Sequence, residues 1–263
     1  MEPVLRISIF AGVLAVLMLV ELWRPWRIAQ QQRGARWPSN LGLVVLDSLL
    51  VRLIFPLGAA GVAILAEVKG WGLFNLVALP SYIVLPLGII ALDLVIYAQH
   101  VAFHMVPWLW RLHRVHHADT VLDVTTGLRF HPVEIVLSML IKAGAVLALG
   151  VPAGAVIAFE VLLNATAMFN HANIVLPGWL DRALRWIVVT PDMHRVHHSV
   201  EPSETNSNFG FNLPWWDRLF GTYQDGPRAG YHRMIVGLSQ FRDEAEQRLD
   251  KLLTQPFRRS RQR

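Results

Sequence analysis

The chain has no cysteine, only three lysines, and few charges of either sign: Asp, Glu, Lys and Arg together make up 16% of its 263 residues. Without thiols, disulfides, iron–sulfur ligation and thiolate zinc sites are excluded. Soluble domains carry about a quarter charged residues. Here the charge is scarce, hydrophobic residues reach 54% and the mean hydropathy is +0.39, which points to a membrane protein. The formal net charge of +5 rests on 21 arginines. No basic stripe interleaved with exposed polar sequence is present, so the charge argues for membrane orientation and against a nucleic-acid partner. Two metal motifs are also missing. There is no H-E-x-x-H, the zinc-protease arrangement, and no E-x-x-H, the signature of soluble carboxylate-bridged di-iron bundles.

What the chain does have is histidine. Ten of its eleven histidines lie between positions 100 and 198. The pentapeptide HRVHH occurs twice, as His113-Arg114-Val115-His116-His117 and as His194-Arg195-Val196-His197-His198, and His100-x-x-x-His104 precedes the first copy. Residues three and four apart share a helix face, so each HRVHH is expected to aim three imidazoles one way. Neutral imidazole is a favoured metal ligand, and eight in three such groups exceed the needs of one ion. The pattern therefore predicts a two-metal centre. A solvated histidine-rich tract is the competing explanation, but such tracts are low-complexity runs, not spaced sets separated by apolar sequence.

The apolar segments fall at residues 4–22, 40–66, 79–98 and 132–169. The first is long enough to cross about 30 Å of hydrocarbon. No small-x-small cleavage site follows it, and Trp23-Arg24-Pro25-Trp26 reads as an interfacial belt, so a retained anchor is expected. Arg24, Arg27, Arg33 and Arg36 place the next loop on the cytoplasmic side. The second segment has a breaking point at Pro56-Leu57-Gly58, and its Arg52 should face protein or water. The fourth is a helical hairpin split at Gly150-Val151-Pro152-Ala153-Gly154 that either barely spans or re-enters. The tail ends Arg258-Arg259-Ser260-Arg261-Gln262-Arg263. Counting spans and counting arginines both put every histidine group on the cytoplasmic face. The predicted fold is all-α: a polytopic membrane helical bundle with a cytoplasmic, His-rich di-metal cap. One domain is expected over 1–263, with anchor helices in 1–90, the histidine core in 91–223 and a cytoplasmic tail in 224–263.

Asp93, Tyr97, His100 and His104 fall at helical steps of four, three and four, on one stripe. A carboxylate at that depth needs a partner, and the spare ring N–H of a metal-bound histidine is one candidate; a plain interhelical hydrogen bond is the other. Spacing does not separate zinc from iron, because imidazole suits both. A zinc-dependent membrane hydrolase, or a metal-handling membrane protein, thus stays beside an oxygen-using enzyme. A transport path would need polar residues threading the spans, whereas here they gather at one face.

At this point the residues resemble the fatty acid hydroxylase/sterol desaturase superfamily of integral-membrane di-iron oxygenases. The likeness lies in Asp93-x-x-x-Tyr97-x-x-His100-x-x-x-His104, His113-x-x-His116-His117, Leu128-Arg129-Phe130-His131-Pro132-x-Glu134, Asn170-His171-x-Asn173, His194-x-x-His197-His198, and the closing segment from Asn208-Phe209-Gly210 to Tyr223. It covers about residues 90 to 223. The resemblance implies two irons held by His100, His104, His113, His116, His117, His171, His194, His197 and His198. His131 is a further candidate, as ligand or as cap of the hairpin. Asn170, Asn173 and Asp192, with Asp93, are expected to hold the ligands without touching metal. It also implies O₂-dependent hydroxylation or desaturation of a lipid C–H bond, with substrate entering from the bilayer; Trp215, Trp216 and Phe220 are candidates for that interface, with ordinary packing or belt aromatics as the other reading. The sequence holds no haem or iron–sulfur module, so the electrons come from a separate donor protein. The arginine bias suggests a bacterial inner membrane. His232 is expected at the surface, and Asp217-Arg218 as a local ion pair.

Overall fold

The computed structural model describes residues 2–28, 33–77 and 79–259. Arg261 and Arg263 of the basic tail lie outside them. Among the described residues the chain is helical, without strands. It runs α1 Glu2–Trp23, α2 Arg33–Ile54, α3 Gly58–Lys69, α4 Leu73–Leu76, α5 Ser81–Met105, α6 Pro107–His117, α7 Pro132–Leu149 and α8 Ala153–His171. Five short helices follow: α9 Gly178–Leu184, α10 Pro191–His197, α11 Pro202–Thr205, α12 Trp215–Leu219 and α13 Leu249–Thr254.

Five segments are long and apolar enough to cross a membrane: Val4–Trp23, Arg36–Leu76, Ser81–Met105, Pro132–Leu149 and Ala153–His171. The second is broken between α2 and α3, at the expected Pro56 turn. The hairpin helices α7 and α8, of 18 and 19 residues, come to about 27–29 Å at the α-helical rise, which is roughly the hydrocarbon thickness. Val4, Leu5, Ile7, Leu19 and Leu22 of α1 point outward, as do Leu49 and Leu53 of α2 and Leu140 of α7. Arg52 also turns outward, in the last turn of α2. Inside, the pattern inverts: Arg36, Arg114, Arg129 and Arg195 are among the largest fully buried side chains. The membrane half is apolar outside, and the histidine half is polar inside.

The apolar core, with Leu92, Ile96, Val146, Val156 and Phe159 at its centre, lies where α3, α5, α7 and α8 meet. At the hairpin tip, Gly72 has φ +94°, and a Cβ there would meet the Gly150 backbone nitrogen at 2.1 Å. Only glycine permits this approach.

Prolines set the turns that carry the histidines. Val106 precedes Pro107, which disfavours the helical region for it; its φ −93°, ψ 116° ends α5, and Pro107 opens α6. The chain therefore bends just after His104 and sets the first HRVHH against it. Pro191 opens α10 in the same way, with Thr190 Oγ1 accepting from Met193 N at 3.3 Å.

Two arrangements tie the periphery to this end. Glu21, at the end of α1, accepts from the backbone N–H groups of Val124 and Asn173, both at 2.7 Å, so the first helix is built into the site. Arg36 is not a loop charge, as the arginine count had it. It lies inside α2, fully buried, with Nε donating to Asp119 at 2.5 Å and Nη1 to Asp123 at 2.9 Å. Burial alone would raise the Asp119 carboxyl, but Arg36 and Arg129 beside it hold it below the usual range. Within the expected 224–263 tail, the described residues 224–259 pack on the core instead of trailing from it. Leu252 is buried against Leu43 and Val115, and Arg129 donates to Gln247 at 2.7 Å.

Candidate metal centre

Nine buried imidazoles meet in two groups. His100, His104, His113, His117 and His197 form one; His116, His171, His194 and His198 form the other. Within each group one ring nitrogen per residue lies within 4.8 Å of all the others. The two HRVHH copies thus converge as expected, with one difference. In each copy the first and last histidines go to one group and the middle one to the other.

Hydrogen bonds orient five of the rings and fix the tautomer where the partner is a carbonyl. His100 Nδ1 donates to the Phe209 carbonyl at 2.7 Å, His197 Nδ1 to that of Ser207 at 2.8 Å and His171 Nδ1 to that of Ala167 at 2.6 Å. His113 Nδ1 meets Glu134 Oε1 at 2.6 Å, and His104 Nδ1 meets Asn206 Oδ1 at 3.2 Å. A carbonyl can only accept, so in a neutral ring so placed the Nε2 atom carries a bare lone pair. Yet His100 Nε2 lies 3.0 Å from His113 Nε2 and 3.1 Å from His197 Nε2. In the second group His171 Nε2 is 3.0 Å from His116 and from His194, and 3.1 Å from His198. Lone pairs at that range repel unless a positive charge lies among them.

Protons do not readily supply that charge. Burial pushes His113 down to about 3. Burial first, and neighbouring imidazoles second, hold His116, His117, His194, His197 and His198 well below 6.5. Neutral rings converging in this way, five of them oriented through Nδ1, are what a soft-to-borderline cation takes. The donor set fits two such ions.

The remaining predicted residues fall elsewhere. His131 is in neither group: its Nδ1 accepts from Val133 N at 3.2 Å, capping α7, and its Nε2 meets the Leu253 carbonyl at 3.2 Å. Of its two expected roles, the cap is the one it fills. Asp93 accepts from Asn212 Nδ2 and Trp216 Nε1, both at 2.8 Å, and meets no imidazole among the described residues. Asn170 donates to the Phe211 carbonyl at 3.1 Å, Asn173 exchanges hydrogen bonds with the Arg27 backbone, and Asp192 pairs with Arg195. These four brace the segments that carry the ligands and do not touch the rings. Asp217 feels the charge of Arg218 but makes no direct salt bridge with it among the described residues. It accepts from Phe209 N at 2.7 Å and Gly210 N at 2.9 Å, while Arg218 lies over Trp186 and Tyr223. His232 is exposed, as expected.

Sequence reasoning missed the groups that do hold the rings. Glu134 stands in the quoted Phe130–Glu134 stretch, but no role was read for it; an acid inside an apolar helix should have asked for a partner. The carbonyls of Phe209, Ser207 and Ala167 left no side-chain signal. The five-histidine group also opens onto a cavity of about 550 Å³ whose lining includes His100 and His113. Its walls are mostly apolar, with Ile96, Phe103, Phe130, Ile135, Met139 and Leu163 among them.

A helical membrane bundle closed at one end by paired histidine clusters is the class that fold and site define. The family model described as fatty acid hydroxylase matches residues 85–222, just over half of the chain. The chain belongs to that family. It is 28% identical over 226 residues to ornithine lipid hydroxylase of Rhizobium tropici, covering 84% of this chain and 67% of that protein. To alkylglycerol monooxygenase of Danio rerio it is 30% identical over 232 residues, 85% of this chain and 48% of that one. To cholesterol 25-hydroxylase of Rattus norvegicus it is 25% identical over 158 residues, 59% and 51% of the two chains. The chain spans about a third to a half of the length of the alkylglycerol monooxygenases it matches. No solved structure matches it.

Proposed function

We propose that this protein is a membrane-embedded, O₂-dependent oxygenase that hydroxylates or desaturates a lipid C–H bond, with two iron ions held by the nine clustered histidines. The observation that carries the metal is the convergence of buried imidazole Nε2 atoms at 3.0–3.1 Å in both groups. The lipid oxidation is supported by the relatives' activities and by the apolar cavity beside the five-histidine group. Iron bound there would supply the O₂ activation that attack on an unactivated C–H requires.

The chain's own residues do the rest. Glu134 and the carbonyls of Phe209, Ser207 and Ala167 hold the rings so that each presents Nε2. Phe103, Phe130 and Phe211 keep water from the cavity next to the site, which protects an oxidising centre from side reactions. Lipid reaches the cavity sideways from the bilayer, and electrons arrive from a donor outside these 263 residues. We place the site on the cytoplasmic face of a bacterial inner membrane, which the flanking Arg24, Arg27 and Arg33 and the bacterial relative support. We read the whole chain as one domain, because the C-terminal segment is buried on α2 and α6.

The test is metal analysis of the full chain purified without added metal, joined to O₂ uptake after reduction in the presence of lipid extract. Two irons per chain and lipid-dependent O₂ consumption are expected. Zinc at full occupancy with no O₂ uptake would give the site to a hydrolase instead.

A further inference from the structure

One part of the chain after α8 lies level with the apolar spans instead of above them. Residues 211–216 are bonded to α5 and to α8, in both cases well inside the ends that carry histidines. On α5, Asp93 accepts from Asn212 Nδ2 and Trp216 Nε1 at 2.8 Å and from the Leu213 N–H at 3.3 Å. Asp93 stands seven residues before His100, which is about 10 Å along the helix. On α8, Thr166 bonds Asn212 Oδ1, and Asn170 donates to the Phe211 carbonyl at 3.1 Å. Thr166 stands five residues before His171, about 8 Å along that helix. Both helices are long and apolar enough to cross a membrane. Two spans thus independently set this segment about 8–10 Å below the histidines, on the hydrocarbon side.

Its outer face suits that depth. Trp186, Ile187, Trp215, Leu219 and Phe220 are each between 44% and 69% exposed. No charged side chain of residues 186–188 or 211–221 is exposed. Asp217 is buried on the N–H groups of Phe209 and Gly210, and Arg218 lies over the rings of Trp186 and Tyr223. Polar groups at the surface are met from within the segment as well. Trp215 Nε1 donates to the Trp186 carbonyl at 2.7 Å, Arg218 to that of Arg185 at 3.1 Å, and Val189 N to that of Asn212 at 2.9 Å. Water would satisfy such groups unaided, whereas irregular backbone at membrane depth must make its hydrogen bonds inside the protein. A contiguous exposed apolar face of this kind marks a contact surface, and its level beside α5 says with what.

We infer that residues 185–188 and 211–220 form a re-entrant lobe sunk into the bilayer beside α5, and that lipid acyl chains cover its apolar face. The inference rests on α5, α7 and α8 crossing a bilayer; it does not depend on metal or on oxygen chemistry.

The chain has no cysteine, so single cysteines can be spin-labelled one at a time in the full protein, held in phosphatidylcholine nanodiscs. Ile187→Cys and Leu219→Cys report on the lobe, with Phe220→Cys in place of either one that is not monodisperse. Leu140→Cys, on the outward face of α7, is the bilayer reference, and Ser203→Cys, exposed on α11, is the water reference. Collisions with dissolved oxygen, which concentrates in hydrocarbon, are compared with collisions with a water-soluble nickel chelate. The oxygen-to-nickel collision ratio at 187 and 219 should match that at 140 and be several times that at 203. Free access of the chelate to either lobe label, with the label at 140 shielded, overturns the inference and leaves the spans standing. Lobe labels shielded from both reagents also overturn it, and give the face to a protein partner or a second copy. Chelate access at 140 would sink the reading of the spans, and this inference with it.

Discussion

Gly127 lies under the four-histidine group, and replacing it with alanine tests how tightly that group is seated. A Cβ at 127 would fall 2.4 Å from the Ala167 carbonyl oxygen, 2.8 Å from its carbon and 3.2 Å from His171 Nδ1. That carbonyl is the acceptor that His171 Nδ1 reaches at 2.6 Å. Ordinary contact needs about 3.4 Å, so some atoms must separate by about 1 Å, and overpacking of this kind costs about 1–3 kcal/mol. The obstacle is backbone within α8, not the end of a flexible side chain. Either the 126–128 turn lifts away or His171 loses its orienting bond. For a chain of this size the stability loss corresponds to a fall in thermal midpoint of about 2–10 °C. The local consequence is sharper, since a misplacement of about 1 Å at a reacting centre is worth about a hundredfold in rate. Gly127→Ala should therefore keep the five-histidine ion while losing most of the other, so that bound metal falls from two per chain toward one. Metal analysis after gel filtration against a mild chelator reads this directly. Two tightly held ions, with an unchanged melting temperature, would refute the claim that this glycine seats His171.

Arg36→Met removes the cation between two buried carboxylates, leaving Asp119 with Arg129 at 3.7 Å, and should destabilise the protein by about 3–5 kcal/mol; the unfolding midpoint by scanning fluorimetry checks this, and Arg36→Met with Asp119→Asn should recover part of the loss. Glu134→Gln weakens the bond that orients His113 and should cost about 10–100-fold in metal affinity, measured as faster metal loss to a chelator in a protein that still melts cooperatively. Metal-stripped protein should lose stability as pH falls from about 6.5 toward the about 3 at which His113 titrates. The sign follows because the unfolded chain binds protons in that window while the buried rings do not, so stability is full above it and declines as pH falls through it. A melting temperature flat from pH 8 to pH 5 in the stripped protein would contradict this.

The parts of the site legible in the sequence were those written in side-chain type and short-range spacing. Histidines at helical intervals led to eight of the nine clustered rings, the family resemblance added His171, and apolar runs of spanning length led to the membrane bundle. The stripe of Asp93, Tyr97, His100 and His104 shows where that reading stops. Periodicity placed all four on one face of α5, and they are all buried there. It could not tell that residues 212–222 fold back over the stripe, so that Asp93 meets Asn212 and Trp216, and Tyr97 meets Thr222 at 2.8 Å, more than a hundred positions away. The stretch just before it supplies the Phe209 and Ser207 carbonyls. It is held by Asn208, at φ 50°, whose side chain donates to the Met193 carbonyl at 2.9 Å and that of Gln224 at 2.8 Å. Backbone acceptors have no residue code, so this half of the ligand support is invisible until the chain is folded.

The repeated HRVHH carries a final consequence of helix geometry. At about 100° per residue, the first and last histidines of the pentapeptide differ by only about 40° around the axis, while the middle one lies about 60° off the first on the other side. Three rings on a broad face therefore need not reach one point. In the first copy His113 and His117 join the five-histidine group and His116 crosses to the other; in the second, His194 and His198 join the four-histidine group and His197 crosses back. Each short helix thus contributes to both groups, and the two exchange one ring each. His100 and His104 complete the larger group from α5, and His171 the smaller from α8. Two ions held this way would share their scaffold: a shift of α6 or α10 moves rings of both groups at once, whereas α5 and α8 each reach only one. The asymmetry of five rings against four comes from those two helices and not from the repeat.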